Sequence, residues 1–163
     1  AAAVEFITSP HAVAASAAGG RKVAFMVRTE TIELDTPGNG HMEDITPAVA
    51  DAVHRSGIAD GIANVFVPGA TGAITTIEYE SGLERDMEEL MEKIIPQAKE
   101  YHHNMKWHDG NGHSHLRASL VGPSFTVPVS GGGLVLGTWQ QIIFLDFDNR
   151  ARSRRIIVQM VGE

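Results

Sequence analysis

The chain of 163 residues contains no cysteine. Disulfide bonds, thiolate zinc sites and cysteine nucleophiles are therefore excluded, and the composition fits a reducing, cytoplasmic compartment. No stretch approaches the roughly 18 consecutive apolar residues of a membrane-spanning helix, so we expect no membrane partner. Basic residues are outnumbered, with 13 Lys and Arg against 20 Asp and Glu, for a net charge of −7. This balance argues against general nucleic-acid binding, which depends on neutralising phosphates.

Two common sequence signals are also missing. The sequence has no Walker A motif and no dinucleotide fingerprint, and Gly131–Gly133 lies between predicted strands, which favours a hairpin loop over a phosphate cradle. The Ala-rich first twenty residues lack a basic start, and polar residues interrupt their apolar run, so they do not predict a signal peptide. We interpret residues 1–20 as a flexible or weakly helical arm before a single domain, residues 21–163.

The remainder of the chain shows strand and helix patterns without a regular β-α-β repeat. Helices are predicted at 47–56 and 83–95, and a loop at 35–44. Strands are predicted at 22–34, 62–68, 73–80, 115–121, 124–129, 134–147 and 154–161. Two early helices followed by four late strands favour an α+β fold over a doubly wound sheet or a (β/α) barrel.

The segment WHDGNGHSHLRASLVGP, residues 107–123, contains three histidines and an aspartate within eight residues. If a strand begins near His113, then His113, His115 and Arg117 project from one face and alternate apolar residues face the core. Two imidazoles on one face can bind Zn²⁺, Ni²⁺ or Mn²⁺ together with ligands from elsewhere in the fold. The upstream candidates for those further ligands are His102, His103, His108 and Asp109. The alternative is an exposed polar hairpin that binds nothing.

Several motifs occur in a fixed order along residues 21–163, among them GHSHLRAS, GTWQQI and the closing VGE. In these motifs the chain resembles the YjbQ-like family, known as the secondary thiamine-phosphate synthase enzyme family. The resemblance implies a small α+β protein of β-sandwich-like mixed sheets with two or three helices. It also implies assembly as a homotrimer.

The resemblance further implies an activity and a cofactor. The expected reaction joins a pyrimidine pyrophosphate to a thiazole phosphate and releases pyrophosphate, assisted by a divalent metal ion, Mg²⁺ or Zn²⁺. The family pattern places polar residues at positions matching Glu78, Asp86, His103, His115 and the Trp139–Gln140 pair. Many relatives carry a histidine at the position of Gly69. If that histidine is a ligand or base in them, this chain lacks it, and either His113 compensates or the site here binds differently.

The candidate site residues are assigned to three roles, each with a structural alternative. The predicted catalytic residues are Glu78, Asp86 and His115. The predicted metal ligands are His103, His113 and His115. The predicted substrate-binding residues are Arg117, which can grip a phosphate, and Trp139 and Gln140, which can line a pocket for a planar ring. The alternatives are an edge carboxylate, a helix-dipole contact, a surface salt bridge and a core tryptophan.

Two classes of function follow from these assignments. The first is a metal-assisted enzyme that acts on a small phosphorylated substrate, either as a thiamine-phosphate synthase or as a metal-dependent phosphate-ester hydrolase. The second is a non-catalytic trimer that binds a metal ion or a small ligand. The one basic cluster, Arg150, Arg152, Arg154 and Arg155, is interpreted as a solvated hairpin or a subunit contact.

Overall fold

The computed structural model describes residues 13–14 and 24–163. The helices are α1 (Thr46–Ser56), α2 (Ser81–Ile94), α3 (His102–Trp107) and α4 (Gly112–Val121). The strands are β1 (Val13–Ala14), β2 (Ala24–Thr36), β3 (His41–Asp44), β4 (Gly61–Phe66), β5 (Gly72–Ile77), β6 (Ser124–Ser130), β7 (Gly133–Leu134), β8 (Gln141–Asp146) and β9 (Arg152–Gly162). Apart from residues 13–14, the predicted N-terminal arm lies outside the described residues.

The strands form two sheets that face each other. One has the order β1-β2-β9-β4-β6-β7 and the other the order β3-β8-β5, and every pairing among the described strands is antiparallel. The predicted α+β class and its sandwich-like arrangement are confirmed. The sheets are antiparallel instead of mixed, and the described part of the chain has four helices where two or three were predicted. No helix in residues 24–163 combines the length and the apolar character needed to cross a membrane.

Strand β8 is buried on both of its faces and separates two apolar cores. Ile142 and Phe144 pack with residues of α1, β4, β6 and β9 in the core between the sheets. Ile143 and Leu145 point the other way and pack with residues of α2 and α4 in a second core. The unbroken apolar sequence Ile-Ile-Phe-Leu follows from this position, because neither face of the strand meets water.

The prediction of a strand at 115–121 is wrong, because these residues belong to helix α4. Alternating polar and apolar residues suggested a period of two, but His113 and Arg117 are both buried at a spacing of four residues. Leu116 and Leu120, at the same spacing, lie on the exposed side of the helix. The pattern was ambiguous because the segment is short and its polar residues are the buried ones.

Other differences concern the limits of elements. The predicted strand at 134–147 is interrupted between β7 and β8 by residues 135–140. The predicted loop at 35–44 contains the end of β2 and all of β3, which leaves a tight turn in which Gly38, Asn39 and Gly40 have positive φ. Helix α3 is not among the predicted elements. It has six residues and no buried side chain, so no apolar period identifies it.

A buried ionic network joins the end of β8 to β9. The Arg154 guanidinium donates to both carboxylate oxygens of Asp146, from Nε at 2.7 Å and from Nη2 at 2.5 Å. The Thr36 hydroxyl also donates to Asp146, and Asp148 accepts hydrogen bonds from Arg152 at 2.9 Å and Thr71 at 3.0 Å. Both carboxylates are almost fully buried. Arg154 is therefore a buried counter-ion and not part of a solvated basic cluster.

Replacing Arg154 with Met should lower the free energy of unfolding by about 3–5 kcal/mol, because two buried carboxylates lose their shared counter-ion. Urea unfolding followed by circular dichroism measures this loss. Arg155→Met is the matched control, since Arg155 is the exposed next residue of the same strand, and its effect should stay within about 0.5 kcal/mol. Similar losses in the two variants would contradict the assignment.

Stability should also fall in acid because of Asp148. Burial alone would raise the pKa of Asp148, but hydrogen bonds from Arg152 and Thr71 outweigh it, so the pKa lies below its ordinary 3.8. A carboxyl group whose pKa is lowered by folding stabilises the fold above its unfolded pKa, and this contribution is lost as the pH falls through 3.8 and below. Thermal unfolding between about pH 6 and pH 3 should show this dependence. Asp148→Asn should weaken this dependence.

Candidate metal centre

Helices α3 and α4 are joined by a short, well-anchored connection. His108 ends α3 in the left-handed conformation with φ 54°, and its N–H donates to the Asn104 carbonyl at 2.8 Å. The Asn104 side chain then accepts the Gly112 N–H at 2.8 Å, at the first residue of α4. A Cβ atom at Gly112 would lie 2.7 Å from the Cβ of Tyr101. Glycine therefore allows the close approach of the two helices.

This connection brings together three metal-ligating side chains. His103 lies in α3, Asp109 in the connection and His115 in α4, and one donor atom of each lies within 4.8 Å of the others. His103 Nε2 is 3.3 Å from Asp109 Oδ2. The ring centroids of His103 and His115 are 4.5 Å apart, with an interplanar angle of 46°. The cluster is half-buried to exposed, so it is open to solvent.

Asp109 is held by the backbone around it. Its Oδ1 accepts the Asn111 N–H at 3.1 Å, and its carbonyl accepts from Asn149 Nδ2 at 2.7 Å. The Asn111 N–H, and to a smaller extent the His103 side chain, hold the pKa of Asp109 below its usual range. The carboxylate is therefore charged at neutral pH, with Oδ2 directed towards His103.

The same connection is tied to the buried ionic network. Asn111 is buried, and its side chain donates to Asp148 at 3.4 Å and accepts the Asn149 N–H at 3.2 Å. Asp148 in turn is fixed by Arg152 and Thr71. The position of Asp109 thus depends on the network at the end of β8.

His113, which was predicted to share a face with His115, lies elsewhere. The prediction assumed a strand, in which residues two apart point the same way. In helix α4 a separation of two residues turns the side chain by about 200°. His113 is only 2% exposed and its Nδ1 has no hydrogen-bond partner among the described residues. Burial, followed by the charge of Arg117, lowers its pKa, so the ring is neutral.

Arg117 is also buried rather than displayed on an open face. Its guanidinium donates to the Ile95 carbonyl from Nε at 2.9 Å and from Nη2 at 2.7 Å, and Nη2 also lies 2.7 Å from Glu92 Oε2. These bonds connect α4 to the end of α2. Most of the N–H groups of Arg117 are therefore used in bonds that hold α4 to the end of α2.

The remaining predicted residues lie outside the cluster. Glu78 is exposed just after β5, and Asp86 is exposed on α2. Trp139 is 70% exposed, which excludes the core alternative, and Gln140 donates to Thr76 at 3.1 Å. The structure therefore brings together only His103 and His115 from the predicted site. Asp109 stood among the upstream candidates but not in the chosen ligand set, although its Asp-Gly-Asn turn is the signal that places it.

Comparison with known proteins shows clear relatives. The family model described as "UPF0047 protein YjbQ-like" matches residues 30–163. A UPF0047 protein of Methanothermobacter thermautotrophicus is 43% identical over 137 residues, which cover 84% of this chain and 94% of the relative. A crystal structure of a "YbjQ-like protein of unknown function" from Sulfolobus solfataricus has a TM-score of 0.81 and 34% identity, and the match covers 85% of this chain and 99% of that one.

These findings correct the functional prediction. The expectation of a thiamine-phosphate synthase, or of another metal-assisted enzyme acting on phosphorylated molecules, is wrong as an assignment. The family is described without an activity, and so are its relatives from Methanothermobacter thermautotrophicus and Archaeoglobus fulgidus. The similar Sulfolobus protein is described as being of unknown function. Family resemblance therefore supports the fold, and function has to be argued from the site.

Gly112→Ala should destabilise the fold by about 1–3 kcal/mol, because the added methyl group meets Tyr101 and Asn104 at less than normal contact distance. Urea unfolding measures the change. Gly133→Ala is the control, since the nearest atom to its added Cβ would lie 3.8 Å away and its φ is not positive. An unchanged midpoint for Gly112→Ala would show that α3 and α4 are not in fixed contact.

Proposed function

Since this chain belongs to the UPF0047 YjbQ-like family, for which no activity is described, we propose a function from the geometry of the site: the protein binds a divalent transition-metal ion, Zn²⁺ in the first place, through His103, Asp109 and His115. One observation carries the proposal. Three side chains of metal-ligating types, from two helices and the turn between them, converge with their donor atoms within 4.8 Å.

The distances support tetrahedral coordination. With metal–ligand bonds of about 2.0–2.1 Å, two ligands of a tetrahedral zinc ion lie about 3.3 Å apart. His103 Nε2 and Asp109 Oδ2 are 3.3 Å apart without a metal. The ring centroid of His115 is 4.5 Å from that of His103, and its donor atom lies within 4.8 Å of those of the other two ligands. Little reorganisation is therefore needed for binding.

The donor set selects among metals. Two neutral imidazoles and one carboxylate suit Zn²⁺ and its transition-metal neighbours. Mg²⁺, the other metal implied by the family resemblance, prefers an octahedral shell of oxygen atoms and keeps most of its water. Zinc is therefore favoured over magnesium.

The surroundings of the ligands support the same conclusion. Asp109 uses one oxygen for the Asn111 N–H and leaves the other for an ion. Hydrogen bonds of this kind orient ligands and raise metal affinity, and their removal typically costs about tenfold to a hundredfold in binding. Three protein ligands leave a fourth position for water. The proposal concerns binding only, and the homotrimer and the cytoplasmic location stay predictions.

Isothermal titration of chelator-treated protein with ZnCl₂ tests the proposal. We expect one zinc ion per chain for the unaltered protein and no binding of MgCl₂ under the same conditions. His115→Ala removes one of three ligands and should weaken zinc binding by about a hundredfold or more.

The matched control is His102→Ala. His102 is an exposed histidine in the same helix as His103 and lies outside the cluster, so zinc affinity should not change. A stoichiometry below one, or equal losses in His102→Ala and His115→Ala, would refute the site. Circular dichroism of each variant establishes that the fold is retained.

A further inference from the structure

A second site candidate is a cavity of about 200 Å³ beneath α2, apart from the metal-ligand cluster. Its apolar wall comes from α2, β3, β8 and the residue just after β8. Its polar groups are Arg117 of α4, two carboxylates of α2 and the amides of two loops. The apolar wall residues are Met42, Met87, Met91, Leu145 and Phe147. None of His103, Asp109 and His115 lines it.

Arg117 contributes an unused pair of N–H donors. The residue is only 6% exposed, and its Nε and Nη2 are occupied by Ile95 and Glu92. Among the described residues, Nη1 makes no hydrogen bond, and it is not one of the fully buried atoms that lack a partner, so it is accessible to solvent. Its N–H groups are therefore free to donate to a molecule in the cavity while the hydrogen bonds to Ile95 and Glu92 stay in place. The cavity that Arg117 lines is the place for such a molecule.

The charges around the cavity exclude an anion as the preferred occupant. One positive charge, on Arg117, faces two negative charges, on Glu88 and Glu92. Glu92 already pairs with Arg117, whereas Glu88 is an exposed carboxylate at the edge of the cavity and is free to accept a hydrogen bond. A neutral molecule that accepts from Arg117 and donates to Glu88 matches both groups. An anion would be repelled by the net negative charge.

The apolar walls indicate the shape of that molecule. Met87 and Met91 lie four residues apart on α2 and therefore present both thioethers on one side of the helix. Methionine side chains adapt to irregular surfaces and make favourable contacts with aromatic rings. Phe147 adds an aromatic side chain to the lining. A flat ring therefore fits better than a branched aliphatic chain.

We propose that this cavity binds a small neutral ring lactam, a planar ring with adjacent C=O and N–H groups. The ring lies among Met42, Met87, Met91 and Phe147, its carbonyl accepts from Arg117 Nη1, and its N–H donates to Glu88. An apolar cavity of roughly 150 Å³ holds a benzene molecule, so the volume here is sufficient for one six-membered ring with small substituents.

The probe for this site is 2-pyridone, titrated into the full chain carrying ¹³C-labelled methionine methyl groups. The six methionines divide evenly, since Met42, Met87 and Met91 line the cavity whereas Met26, Met105 and Met160 do not. We expect saturable shifts at the three lining methyl groups and none at the other three. Toluene, which lacks the polar edge, and benzoate, which carries a charge, should both bind more weakly.

Two variants test the polar contacts. Glu88→Ala removes the acceptor from an exposed position and should weaken 2-pyridone binding about tenfold, and Glu89→Ala, the neighbouring exposed carboxylate outside the cavity, should not. Arg117→Lys should weaken binding by a similar factor or more, because the planar fork is lost. If Arg117→Lys does not fold, the comparison of Glu88→Ala with Glu89→Ala still tests the proposal.

Three results would overturn the proposal: no shift of the lining methionines at the solubility limit of 2-pyridone, toluene binding as tightly as 2-pyridone, or benzoate binding more tightly. Equal effects of Glu88→Ala and Glu89→Ala would do the same. The titration is repeated with His115→Ala, in which 2-pyridone affinity should be unchanged. Failure of the zinc site and failure of the cavity site are thereby distinguished.

Discussion

The pairing of Arg154 with Asp146 and Asp148 is the interaction on which the rest of the molecule depends. It fixes the end of β8, the strand that both cores share, against β9 of the larger sheet. Through Asn111 it also fixes the turn that carries Asp109. An ion pair buried this deeply adds little net stability over an apolar substitute, but it tolerates only one arrangement of its partners. Here that arrangement positions the metal-ligand cluster.

Much of the architecture could be predicted from sequence, because α1, β4 and β9 each have one buried face and α2 packs Leu83, Met87 and Met91 against the second core. The predictions failed in the two segments where the apolar residues are not the buried ones. Helix α4 buries His113 and Arg117 and exposes two leucines, so its pattern misled. Helix α3 buries no side chain and left no pattern. Tertiary contacts, which no local pattern contains, decide both segments.

The candidate site was predictable only in part, because its geometry also depends on tertiary contacts. His103 and His115 were recognised by residue type, whereas their partner Asp109 depends on a turn whose geometry only the folded chain shows. The strand model placed His113 beside His115, and the helix separates them. Arg117 had two predicted uses, a phosphate contact and a salt bridge, and the structure supplies the second through Glu92. The residue types identified candidate ligands, but the sequence did not show in which direction each side chain points in the fold.

The short connection from His108 to Asn111 limits which insertions and deletions this region of the chain can accept. Four residues join α3 to α4. Among them, His108 has a left-handed conformation and Gly110 has a positive φ. Side chains of Asn104, Asn111 and Asn149 make hydrogen bonds at this connection or at its ends, so an inserted or deleted residue would break some of these bonds. The length of this connection is therefore constrained in the same way as the identity of Gly112 at the start of α4.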